Sequence, residues 1–212
     1  MIKAIIFDCD GTLVDSETLS AIATDHAFKS ILKRPLTEEE SNGLLGRPAN
    51  RVLKEWFPNS GKDIFEEASA YFRERMKEIK PYDDIEKLLN ILHKDFRFAV
   101  VSSSSRFIVQ EMLDITGLNR YFELVIGHED TEKHKPDPEP LMECIKRLGL
   151  AESECIYVGD QPYDIMAARS AGIVVLGTTW GSGNSRVLRE YKPHAILEKP
   201  LDILSLKFDR LI

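Results

Sequence analysis

Asp8 and Asp10 stand two positions apart in Asp8-Cys9-Asp10-Gly11-Thr12, directly after the apolar run Ala4–Phe7. A carboxylate in such a place can attack phosphorus and form an acyl-phosphate, while its neighbour gives and takes the protons. Asp160 and Asp164 follow a second apolar run, Cys155–Val158. Hard oxygen ligands suit a divalent ion such as Mg²⁺, which keeps several waters and needs few protein groups. Ser102-Ser103-Ser104-Ser105 closes a third run, Phe96–Val101, with hydroxyls and backbone N–H groups for a phosphate cradle. Lys135, in His134-Lys135-Pro136-Asp137-Pro138, brings an ammonium able to neutralise phosphoryl oxygens and a nucleophile. Each stretch also has a plainer reading: an acidic turn, a helix cap at Asp160, a serine-rich loop, a solvated lysine. One site at one sheet edge explains all four, whereas the plainer readings must each hold independently.

Groups so far apart along the chain meet only if their elements lie side by side. Ala4–Phe7, Phe96–Val101, Cys155–Val158 and Ile173–Leu176 are short apolar runs, with Leu124–Ile126 a weaker fifth, and amphipathic stretches separate the later ones. That alternation predicts parallel strands covered on both faces by helices. In open sheets of this kind ligands bind beyond the carboxyl ends of the strands. Gly117, Gly149 and Gly172 are placed to end helices, and Asp137-Pro138 to start one. From about Ser16 to Lys80 only helical periodicity is present. One helix takes in Leu19 to Leu32, Thr37 and Glu40 have capping-box spacing, and further helices carry Val52–Phe57 and Ile64–Ile79. The expectation is an α/β core over 1–15 and 82–212 with an all-helical cap over 16–81.

With 212 residues, 43% of them hydrophobic, the chain can bury one substantial core and a small second module. Lys and Arg total 28 against 35 for Asp and Glu, a formal charge of −7, which argues against a nucleic acid or an anionic membrane as partner. No apolar run nears the ~18 residues of a bilayer span. Cys9, Cys144 and Cys155 make no CxxC pair and no disulfide framework, so a reducing cytoplasm is the expected setting.

Taken in order, Asp8-x-Asp10-Gly11-Thr12, Ser102, Lys135 and Gly159-Asp160-x-x-x-Asp164 resemble the four motifs of the haloacid dehalogenase superfamily, in its phosphatase branch with a helical cap. The likeness runs from Ile5 to about Gly183. It implies a three-layer, Rossmann-like core with a parallel sheet, and Mg²⁺-dependent hydrolysis of a small phosphorylated metabolite by a monomer or homodimer. By the resemblance Asp8 is nucleophile and metal ligand, and Asp10 is general acid/base and lends its backbone carbonyl to the metal. Ser102, with Ser103 beside it, holds the phosphoryl group, Lys135 bridges that group to Asp8, and Asp160 completes the metal shell with Asp164 behind it.

Within the family, Asp164–Gly172 and Thr179-Trp180-Gly181 look like phosphoglycolate-phosphatase and pyrophosphatase-type members. Asp15-Ser16-Glu17 is also loosely similar to the hinge of β-phosphoglucomutases, whose acid/base is controlled by a His five residues past the Asp that matches Asp15. Ser20 stands there in this chain, a departure from the mutases, with His26 further along the same helix. Gly46-Arg47-Pro48 falls in a turn between cap helices, where Arg47 either grips a carboxylate or second phosphate in forked geometry or is simply solvated.

Overall fold

Ala4–Phe7 has no polar side chain to turn toward water, so it can only be an interior strand. In the computed structural model, which describes residues 1–208, β1 (Ala4–Phe7) lies at the centre of a six-stranded parallel sheet. Its neighbours are β2 (Arg97–Val101) and β4 (Cys155–Gly159); β3 (Leu124–Ile126) lies outside β2, and β5 (Val174–Thr178) and β6 (Ala195–Leu197) outside β4. All five pairings are parallel. Side chains alternate faces along each strand. Ile5, Phe7, Phe98, Val100, Ile156 and Val158 enter one core, while Ala4, Ile6, Ala99, Val101, Cys155 and Tyr157 enter another.

Helices cover both faces. Leu88, Leu89 and Leu92 of α5 (Ile85–Leu92) and Val109, Met112 and Leu113 of α6 (Arg106–Ile115) fill the first core. Leu141, Cys144, Ile145 and Leu148 of α7 (Glu139–Leu148) fill the second, with Ile165, Ala167 and Ala168 of α8 (Pro162–Ser170). The three-layer α/β architecture therefore stands as the sequence predicts. Asp137 accepts a hydrogen bond from the Glu139 N–H at 3.0 Å, opening α7, and Gly149 closes it at φ 68°. A sixth strand and α9 (Ser185–Glu190) extend the sheet beyond the elements read from sequence. Residues 209–212, the end of the expected core, lie outside the described residues.

Between β1 and α5 the chain is all helix: α1 (Glu17–Ala27), α2 (Glu38–Leu44), α3 (Ala49–Trp56) and α4 (Gly61–Arg75). The helix expected through Leu32 continues from α1 as a wider π turn, Phe28–Leu32, and stops where Lys33 turns left-handed at φ 56°. The helix expected to reach Ile79 ends at Arg75 and tightens into a 3₁₀ turn, Met76–Glu78. Thr37 and Glu40 form the anticipated capping box. Ala23, Ala27, Phe28, Leu53, Ile64 and Ala68 make a third, separate apolar cluster inside this segment. Outgoing and returning chains run side by side, with Asp15 N–H bonded to Lys80 O at 3.0 Å and Tyr82 N–H to Leu13 O at 3.1 Å.

Strand order reverses between β1 and β4, since β2 and β3 lie to one side and β5 and β6 to the other. A crevice opens at the carboxyl end of such a switch point. Phe7 is in register with Val158, so Asp8 and Asp160 leave the sheet together.

Candidate active site

The four motif stretches converge at that crevice. Lys135 is buried, and its Nζ donates to Asp8 Oδ1 at 2.7 Å, Asp164 Oδ1 at 2.6 Å and the Tyr157 hydroxyl at 3.0 Å. Burial alone would push the ammonium toward neutrality, but the Asp164 and Asp8 carboxylates outweigh it and hold Lys135 above its ordinary value. Asp8 is raised well above the usual carboxylate range. Burial is the main cause, Lys135 opposes it, and Asp164 and Asp160 reinforce it. Asp160 is raised to about 6, again by burial and then by Asp164.

Asp8, Asp160 and Asp164 offer oxygen atoms within 4.8 Å of one another, all three residues buried. Carboxylates crowded this way repel one another, and the raised values of Asp8 and Asp160 express part of that cost. A divalent cation supplies the charge that relieves it, and an all-oxygen donor set matches a hard ion. The three differ in how free they are. Both Asp164 oxygens are taken, Oδ1 by Lys135 and Tyr157 and Oδ2 by the Gln161 N–H at 2.9 Å. Asp164 thus holds Lys135 in place, while Asp160 also has both oxygens engaged, Oδ1 by the Thr12 hydroxyl at 3.3 Å. Asp160 is itself steadied by Gln161 Nε2 and the Ser182 hydroxyl, both 2.7 Å from Oδ2.

Asp10 stands beside the trio with its carboxylate held by hydroxyls. Ser16 donates to Oδ1, and Ser102 and Ser104 donate to Oδ2 at 3.1 and 2.9 Å. Ser102 therefore reaches the site, with its hydroxyl turned to Asp10. Two glycines are fixed by space. Gly11 has φ 75°, and a Cβ there would lie 2.6 Å from Asp160 Oδ2. At Gly159 a Cβ would sit 2.5 Å from the Asp164 Cγ. Cys9, wedged between the two acids, is fully buried, and burial together with Asp10 and Asp8 keeps the thiol neutral.

A cavity of about 220 Å³ opens from Asp8, Asp10 and Lys135 into the helical segment. Arg47 is in its wall, half-buried, with Nη1 on Gly43 O at 3.3 Å and Nη2 3.7 Å from Glu55. Ser103 lines it as well, and its hydroxyl donates to Gly46 O at 3.0 Å, tying the helical segment to the sheet edge. His128, unremarkable by its spacing in the sequence, shares the wall, whereas His26 pairs with Glu67 at 3.2 Å and stacks on Tyr71 outside it.

Sequence reasoning missed several participants. Tyr157 lies inside an apolar run and reads as core; nothing but its hydroxyl distinguishes it from a Phe. Glu17 lines the cavity from the first turn of α1. Burial and Asp160 raise it to about 8, despite a hydrogen bond with Ser182. The acidic cluster around Asp8 and Asp10 was a signal that could have drawn attention to Glu17; Ser182 offered none.

Comparison with known proteins places these motifs in one lineage. The family model of haloacid dehalogenase-like hydrolases matches residues 5–178. A Clostridium perfringens protein carrying the pyrophosphatase name PpaX is 34% identical over 211 residues, 97% of each chain. A phosphoglycolate phosphatase of Colwellia psychrerythraea is 28% identical over 204 residues, 90% of each chain. The crystal structure of a predicted phosphoglycolate phosphatase from Haemophilus somnus superimposes with a TM-score of 0.87 at 27% identity, covering 96% of this chain and 97% of that one. No helix among the described residues is long and apolar enough to cross a membrane. With its motifs gathered at one sheet edge, the chain belongs to the haloacid dehalogenase-like hydrolase family and is a phosphatase of that family.

Proposed function

We propose that the chain is a Mg²⁺-dependent phosphatase that hydrolyses a small phosphomonoester through an aspartyl-phosphate on Asp8. The observation carrying this reading is Lys135 Nζ at 2.7 Å from Asp8, with Asp160 and Asp10 gathered around the same crevice. Asp8 and Asp160 would hold the ion, with Asp10 lending its backbone carbonyl and Asp164 behind them. When bound, Mg²⁺ supplies positive charge to the phosphoryl oxygens and to the Asp8 carboxylate.

In the first step an Asp8 carboxylate oxygen attacks phosphorus in line. The ester P–O bond breaks, its electron pair leaves with the alcohol oxygen, and Asp10 delivers the proton. In the second, Asp10 takes a proton from water as the water oxygen attacks phosphorus, and the bond to Asp8 breaks to release inorganic phosphate. Lys135 compensates charge on the phosphoryl group and keeps Asp8 oriented. Ser102 and Ser103 line up on the phosphoryl side, Ser102 exchanging its bond to Asp10 for a phosphoryl oxygen, and Arg47 stands toward the leaving group.

Segment 16–81 acts as a cap over the core formed by 1–15 and the returning chain from 82, hinged where Asp15 meets Lys80. Three unpaired, buried cysteines accord with work in a reducing cytoplasm. The names of two relatives direct attention to pyrophosphate and phosphoglycolate as first substrates to test. A β-phosphoglucomutase-type transfer is the alternative, and it is not favoured by Ser20 or by His26, which is engaged with Glu67. The test is phosphate release from a panel of esters with Mg²⁺, against an EDTA control. Asp8→Asn should abolish turnover and the acid-stable phosphoprotein signal with the fold intact; undiminished turnover by that variant refutes the scheme.

A further inference from the structure

The cavity beyond the catalytic groups has a chemical character of its own. Leu36, Leu44, Phe65 and Phe72 are partly buried against the apolar cluster of the helical segment, and each turns surface into the cavity; Leu53 joins them from α3. Neutral polar groups interrupt this surface, among them Ser41, Asn50, Ser69 and His128, while the Thr24 hydroxyl is already spent on Ser20 O at 2.9 Å. Among the described residues, the Lys and Arg side chains in the wall are Lys135, engaged by Asp8 and Asp164, and Arg47, engaged by Gly43 O and Glu55. A second phosphate placed here would meet apolar carbon, neutral hydroxyls and shared cations, and a charge without a full counter-charge in such surroundings is costly. An apolar group would instead displace poorly held water from carbon surface, at a gain proportional to the area covered.

We propose that the ester taken by this site carries an uncharged, largely apolar leaving group, a short alkyl or aryl alcohol, seated among Leu36, Leu44, Leu53, Phe65 and Phe72. The inference rests on the phosphatase reading above for the seat of the phosphoryl group. It departs from both substrates that the relatives' names suggest, since pyrophosphate offers only charge to these walls and glycolate offers a carboxylate. The volume of about 220 Å³ corresponds to roughly seven waters at ~30 Å³ each, enough for a phosphoryl head and a chain of a few carbons.

The probe is a series of n-alkylphosphonates from methyl to octyl, whose C–P bond is not hydrolysed, titrated calorimetrically into the full chain with MgCl₂. The dissociation constant should fall about fourfold per methylene, the ~0.8 kcal/mol of one buried CH₂, and level off near roughly six carbons when the volume is full. Imidodiphosphate should bind more weakly than butylphosphonate. Leu44→Asn and, separately, Phe72→Ser, each checked for folding by circular dichroism, should flatten the slope. An affinity that stays flat or falls along the series, imidodiphosphate binding more tightly than butylphosphonate, or a full slope in both folded variants would overturn the inference. Because binding is read without turnover, the two ideas fail separately. Asp8-dependent hydrolysis with a flat series leaves the phosphatase reading standing, and a rising series without hydrolysis of any ester does the reverse.

Discussion

Asp160→Asn should stabilise the metal-free protein, although it removes a proposed metal ligand. Asp160 is fully buried, and its carboxyl is displaced from an ordinary 3.8 to about 6, chiefly by burial and then by Asp164. At ~1.4 kcal/mol for each tenfold change in acidity, keeping it ionised costs the folded state up to ~3 kcal/mol. The sign follows from the direction. Below pH 3.8 the carboxyl is protonated folded and unfolded, and no cost arises. As pH rises from 3.8 through 6 the unfolded chain sheds the proton more readily, so stability is lost across that window and stays lost above it. Asparagine removes the charge and can keep the contacts. Its oxygen accepts from Gln161 and Ser182, and its amide can donate to Thr12 Oγ1, which lies 3.3 Å from Asp160 Oδ1.

The assay is thermal unfolding of wild type and variant in EDTA from pH 4 to 8, repeated with MgCl₂. At pH 7.5 in EDTA the variant should melt roughly 5–10 °C higher, taking ~2–4 °C per kcal/mol for a chain of this size. The two should converge near pH 4. Mg²⁺ at a thousandfold its dissociation constant should reverse the order, because it then adds about 4.1 kcal/mol to the state that binds it, and the variant has lost part of the site. A variant less stable than wild type in EDTA at pH 7.5, or a difference that does not shrink toward pH 4, refutes the reasoning that links the crowded carboxylates to the ion.

Gly159→Ala would drive a methyl to 2.5 Å from the Asp164 Cγ, so Asp164 must move and release Lys135. Phosphate release should fall by at least a hundredfold, and urea denaturation should show a loss on the order of 2–3 kcal/mol. Glu40 is held at about 2 by the forked Arg34 guanidinium and by the Thr37 N–H and hydroxyl, so its stabilising contribution is complete above its ordinary 4.5 and disappears as pH falls through 2. Glu40→Gln should cost about 0.5–1 kcal/mol at pH 7, less in high salt and nothing at pH 2, by the same denaturation assay.

The sheet was readable because its strands are buried on both faces and therefore apolar throughout, a pattern that survives without knowledge of their neighbours. Ala195–Leu197 escaped because three residues at a sheet edge, two of them only partly buried, carry too little pattern to separate from a loop. The boundaries at Ala27 and Arg75 escaped for another reason. The apolar spacing runs on past both, and only the hydrogen-bond geometry changes, from α to π at Phe28 and from α to 3₁₀ at Met76. Asp8 and Asp160 were legible because carboxylates directly beyond apolar strands stand out, and Lys135 because it sits in the Pro-rich loop that leads into α7. Tyr157 and Glu17 were not, since what each does depends on partners with no fixed spacing from it: Lys135 and Asp164 at the tyrosine hydroxyl, Asp160 and Ser182 beside the glutamate. The cavity is the extreme case. Its walls are ordinary leucines and phenylalanines from several elements, each of which fits a buried helix face equally well. Only their mutual distances make them line one cavity, and no local pattern encodes those distances. On the proposed reading the reaction is written in short motifs and the choice of substrate in packing, so the leaving group must be sought in the shape and polarity of the helical segment.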